Sequence, residues 1–217
     1  MSNRPPIGFI VEGHGEYNCY PSLFCKISNS SGFKIPIVNA GGCGGILKHL
    51  GEQLSNLLMT DSPESVIITV DLKDAIHQGF AADHADLIQR LRQTVEKWQE
   101  SAATDERLQP LPSRISCVIQ VRKFESWLIA DVEGLKSAEL IRSDISQMPD
   151  AEAIPEPTAW LKDALKCEAN LKSPHFAKKV VTALTPAVMK NHSQSFSVFH
   201  EECQTSYAEW ENRLITA

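Results

Sequence analysis

Apolar positions along the chain fall into two patterns. Four short runs, at about 7–11, 34–39, 66–71 and 115–121, are mostly apolar without strict alternation. Runs of that length and character predict strands covered on both faces of a sheet. Between them the spacing changes. Ile46, Leu47, Leu50, Leu54, Leu57 and Leu58 form one stripe at helical spacing, and Leu87, Ile88, Leu91, Val95 and Trp98 form another. A helix also fits residues 16–27. The resulting order β-α-β-α-β-α-β predicts an α/β fold, a mostly parallel central sheet with helices on both sides.

Two breaks divide the rest. Residues 102–114 contain Thr104, Asp105, Pro110, Pro112 and Ser113 and read as a loop. Residues 148–157 contain three prolines and several acids. After them the pattern is helical and polar-rich from Trp160 to about Leu184. A last helix is predicted from near Ser195, covering Phe196, Val198, Phe199, Tyr207 and Trp210. The division is therefore an α/β core over 1–147 and a helical C-terminal extension, 148–217, packed on it.

Composition narrows the class. Hydrophobic residues make up 42% of 217, enough for a real core. No apolar run approaches the roughly 20 residues needed to cross a bilayer, and the first residues have no signal-peptide layout. Six cysteines are scattered at 19, 25, 43, 117, 167 and 203 without a C-x-x-C pair, and Cys117 reads as a small core residue. The expectation is a cytoplasmic protein with no disulfide framework. The net charge of −6 argues against a surface that is basic all over. From Trp160 to His192, however, six lysines face two acids, as either a phosphate-binding surface or an ordinary solvated helix face.

The chemistry is concentrated where the predicted strands run out. Glu12 and Glu16 follow the first, Asp71 and Asp74 end or follow the third, and Glu125 and Asp131 come past the fourth. In an open α/β sheet, ligands sit outside the carboxyl ends of the strands. Acids gathered there repel one another, and a hard cation such as Mg²⁺ or Mn²⁺ lets them stay ionised together. Each has a plainer reading: Glu16 as a first-turn helix acid, and Asp131 as a cap on a helix beginning at Val132. Gly41 to Gly45, broken by Cys43, reads better as a tight strand-to-helix turn than as a phosphate cradle, because no Gly-Lys-Ser/Thr ending follows. His14 stands between the two glutamates and is open to proton transfer or to no role. Trp127 reads as core. Lys73, His175, Lys178 and Lys179 are the candidates for contact with a phosphodiester backbone.

The motif Val11-Glu12-Gly13-His14-Gly15-Glu16, with an aspartate ending a later apolar strand, resembles the Toprim domain of topoisomerases, primases and the overcoming-lysogenization-defect nucleases. Its E-x-x-x-E form is most similar to the nuclease branch. Phe124 to Asp131 resembles the glutamate-tryptophan-leucine-aspartate signature of small stand-alone bacterial Toprim-like proteins, some linked to phage defence. Phe176-Ala177-Lys178 and Ser193 to Phe196 resemble the same group.

The resemblance implies a Rossmann-like Toprim fold. It also implies a Mg²⁺ or Mn²⁺ site built from Glu12, Asp71 and Glu16, and nucleic-acid phosphodiester hydrolysis. One departure stands out: the pattern expects aspartate, any residue, aspartate, whereas this chain has Asp71-Leu72-Lys73-Asp74. Asp74 could substitute from one place later, Lys73 could supply a fixed positive charge, or one metal position could be lost. Glu125 could then complete the ligand set. Two functions stay open: a metal-dependent nuclease, or a degenerate Toprim-like binding or regulatory subunit partnered with a co-encoded ATPase.

Overall fold

The computed structural model describes residues 4–166 and 171–216. The first part runs β1 (Gly8–Val11), α1 (His14–Ile27), β2 (Ile37–Asn39), α2 (Cys43–Thr60), β3 (Ser65–Asp71), α3 (Leu72–His77), α4 (His84–Ala102) and β4 (Arg114–Gln120). The second runs α5 (Phe124–Ile129), α6 (Val132–Ser137), α7 (Pro157–Ala164), α8 (Pro174–Ala183), α9 (Pro186–His192) and α10 (Gln194–Thr216). The four strands stand at the four apolar runs and form one all-parallel sheet in the order β2-β1-β3-β4. The fold is Rossmann-like.

The sheet is buried on both faces, which is why its strands lack alternation. Phe9, Val11, Ile67 and Val118 join one core with α1, α5 and α8–α10. Ile10, Val66, Ile68, Val70 and Ile119 join the other with the buried stripes of α2 and α4. Trp127 is fully buried, stacked on Tyr20 with ring centroids 6.0 Å apart. Phe196, Phe199 and Cys203 bring α10 into the first core, so the last helix covers the sheet directly.

The chain leaves β1 outward to β2, then returns past β1 to β3. A strand order that reverses in this way opens a crevice at the carboxyl ends of the two strands on either side. The glycine run after β2 turns toward the same crevice: Gly41 and Gly42 have φ of +73° and +111°, and the Gly42 amide donates to Glu12 O at 2.7 Å.

The helical stretch predicted from Trp160 to about Leu184 contains two helices, α7 and α8. α7 ends where Leu165 turns extended (φ −70°, ψ 142°), and α8 restarts with Pro174 in its first turn. Proline cannot supply the donor that a running helix needs there, but it suits a first turn. The part of that prediction over 167–170, with Cys167, lies outside the described residues. Among the described residues no helix is long and apolar enough to cross a membrane.

Candidate metal centre

The carboxyl ends of β1 and β3 form the floor of a cleft of about 430 Å³. Glu12, Glu16, Asp71, Asp74 and Glu125 line it, with Gly13, Gly15 and Gly42 beside them. Each acid arrives from its own element. Glu12 is the first residue past β1, and Glu16 lies in the first turn of α1 after the extended Gly13. Asp71 ends β3, Asp74 lies in the first turn of α3, and Glu125 lies in the first turn of α5. On the far side are Thr158, Leu161 and Lys162 of α7, with Leu171 and Lys172.

Glu12, Asp71 and Asp74 each offer a carboxylate oxygen within 4.8 Å of the others. Glu12 is held in place by the Asp71 amide, which donates to its Oε1 at 2.8 Å. Asp71 is only 7% exposed, and its Oδ1 is buried without a hydrogen-bond partner among the described residues. A buried acceptor of this kind costs free energy unless something meets it. The chemistry of the set, three hard oxygens and no nitrogen or sulfur, suits Mg²⁺ or Mn²⁺.

The electrostatics follow from crowding in a poorly hydrated place. Burial, then Glu16 and Asp74, push the Glu12 carboxyl up to about 8 against the Asp71 amide, which favours its ionised form. Burial and Glu125 raise Glu16 to about 7. Burial raises Asp71 well above the usual carboxylate range, with Glu12 and Glu16 adding to it.

A cation also reaches the floor, though not the one expected. Lys123, just before α5, places Nζ 2.8 Å from Asp74 Oδ1 and 3.0 Å from Oδ2. Lys73 turns the other way, pairing with Glu156 and donating to Pro155 O at 3.1 Å. Successive helix positions differ by about 100°, so Lys73 and Asp74 cannot face the same side of α3. Asp74 enters the cleft and Lys73 leaves it.

The model of a family described as "Domain of unknown function (DUF4276)" matches residues 11–203. The chain belongs to this family. No curated protein and no solved structure matches it. The DUF4276 match opens at the end of β1 and closes inside α10, so it takes in every carboxylate of the cleft together with Lys123, Lys162 and Lys172.

Other sequence-predicted residues within the DUF4276 span lie elsewhere. Asp131 is a cap: its carboxylate accepts from Gly134 N at 2.9 Å and Thr185 N at 2.7 Å, tying α6 to the start of α9. Both its oxygens are thereby occupied, and it stands apart from the cleft lining. His175, Lys178 and Lys179 line a separate groove between α6 and α8. His14 is exposed at the start of α1.

Sequence reasoning gave no role to Lys123, although it obeys the same strand-end rule that picked out the acids. It also passed over Glu152, a buried carboxylate accepting from Ser193 Oγ at 2.7 Å, Ser195 N at 2.8 Å and Ser195 Oγ. Ser195 Oγ in turn accepts from Trp127 Nε1 at 2.7 Å. That network fixes α5, and with it Glu125, against the start of α10.

Proposed function

We propose that this protein is a Toprim-like, divalent-metal-dependent nuclease acting on nucleic-acid phosphodiesters. The observation that carries the reading is the unpartnered, buried Asp71 Oδ1 inside the Glu12–Asp71–Asp74 triad. The motif resemblance around Glu12 to Glu16 and Glu125 to Asp131 supports it.

Glu12, Asp71 and Asp74 would hold Mg²⁺ or Mn²⁺. Such a cation, when bound, polarises a phosphoryl oxygen and lowers the pKa of water. The chain's own groups do the rest. The Asp71 amide fixes Glu12 in one orientation. Glu16, raised to about 7, is matched to taking a proton from an attacking water near neutral pH. Burial, with repulsion from Glu125 added, keeps Glu16 basic. Lys162 and Lys172 on the far wall would meet the phosphate backbone, a charge contact without sequence information.

Purified protein with Mn²⁺ should nick or degrade DNA or RNA, and Glu12→Gln should abolish cleavage. Cleavage that survives Glu12→Gln overturns the reading. A second reading has its own observation in the Lys123–Asp74 ion pair, which neutralises one acid of the triad. On that reading the chain is a regulatory subunit of a complex with a co-encoded ATPase. It requires that cleavage appear only in the reconstituted pair and be indifferent to Glu12→Gln in this chain.

A further inference from the structure

The cleft contains a fixed positive charge that the proposed chemistry has not used. Lys123 Nζ addresses both oxygens of Asp74, at 2.8 and 3.0 Å, as a bidentate cation would. The side chain is 27% exposed, so it is partly sunk into the cleft wall and not waving in solvent. Its backbone is set by its place at the start of α5, and Phe124, next to it, packs on Tyr20 with ring centroids 5.6 Å apart.

The remaining acids do not make a second nest. Among the described residues, Glu12, Asp71 and Asp74 form a group of three metal-ligating side chains with mutual separations within 4.8 Å, and neither Glu16 nor Glu125 joins it or forms another. Two-metal sites hold their ions about 3.5–4 Å apart. An ion at that separation from one in the triad, and liganded by Asp74, would meet an ammonium already on both Asp74 oxygens. Charge balance points the same way: three carboxylates are neutralised by one divalent cation and one ammonium.

Resting on the proposed metal site, we infer that the cleft takes a single divalent cation and that Lys123 stands in the place of a second one. The departure from the aspartate-any-aspartate pattern acquires a cause. The second acid is displaced to Asp74, where a lysine arriving from β4 can reach it.

The test is a Mn²⁺ titration of the full chain, read by the free-ion electron paramagnetic resonance signal and by calorimetry. Wild type should bind one Mn²⁺, and Asp71→Asn should bind none. Lys123→Met should either gain a second Mn²⁺ or bind the first at least tenfold tighter, because the competing charge is gone. Lys123→Arg should behave as wild type, and circular dichroism confirms that each variant is folded. Two ions on wild type overturn this inference while leaving the metal-site reading intact. So does unchanged or weaker Mn²⁺ binding by folded Lys123→Met. No Mn²⁺ on wild type overturns both.

Discussion

Asp71 concentrates the stresses of this fold in one side chain. It ends a strand buried at every position, gives its amide to Glu12 and, among the described residues, leaves Oδ1 without a partner. Replacing it with asparagine removes a buried, crowded carboxyl while keeping the shape. We expect Asp71→Asn to raise metal-free stability at about pH 8 and to cancel any Mn²⁺-induced rise in melting temperature. Thermal scans with and without Mn²⁺ measure both.

The wild-type pH profile follows from the same crowding. Glu12 and Glu16 are raised from 4.5 to about 8 and about 7, so the folded protein holds protons that the unfolded chain has released. Stability from these groups is fully present below about pH 4.5 and is lost as pH rises toward 8. A tenfold change in proton affinity is worth about 1.4 kcal/mol, and a chain of this size moves about 2–4 °C per kcal/mol. The melting temperature of metal-free protein should fall by roughly 10–25 °C between about pH 5 and pH 8. Millimolar Mn²⁺ should restore most of it, and a flat profile would contradict the burial of the cluster.

At this scale the strand-end acids were legible, because an apolar run followed by a carboxylate marks the end of a buried strand. The direction of each side chain was not. Arg122 has φ of +73° and turns the chain between β4 and α5, just before Lys123 enters the cleft. Nothing about an arginine announces a left-handed conformation.

Among the elements, Asp131 shows how one residue type serves two purposes. At the start of α6 it receives the Gly134 amide, and it also receives the Thr185 amide from the start of α9. Gly134 is required alongside it: a Cβ there would lie 2.5 Å from Asp131 Oδ2 and 2.6 Å from Ala183 O. Asp131→Ala would orphan two donors around a carboxylate that is 2% exposed. We expect a loss of about 2–4 kcal/mol in chemical denaturation, with Mn²⁺ affinity unchanged once the protein is folded. A drop in Mn²⁺ affinity without a stability loss would return Asp131 to the candidate ligands. The helical stripes of α2 and α4 could be read from spacing alone. The start of α8 was marked by Pro174, which suits a first turn and not a helix interior.

On the scale of the whole molecule, the lysine-rich stretch divides between two surfaces. Lys162 and Lys172 look into the acidic cleft, while Lys178 and Lys179 line the groove between α6 and α8. The sequence shows that charge only as one excess, since the packing of the described elements decides which surface each lysine lines. The paired change Lys162→Ala with Lys172→Ala should flatten the salt dependence of single-stranded DNA binding. Each lost phosphate contact removes about 0.7 from the slope of log affinity against log salt. The pair Lys178→Ala with Lys179→Ala should leave that slope near wild type. The opposite ranking, measured by fluorescence anisotropy across a salt series, would move the nucleic acid to the other groove.

Glu12 and the amide that steadies it are 59 positions apart along the chain. In an open chain Glu12 and Asp71 are strangers, and their mutual repulsion begins only when β1 and β3 lie side by side. A cation that settles among them therefore acts after the sheet has closed. Its influence belongs to the lifetime of the finished molecule rather than to the speed of its assembly. Held in a chelator, this protein should come apart sooner and yet reassemble no more slowly.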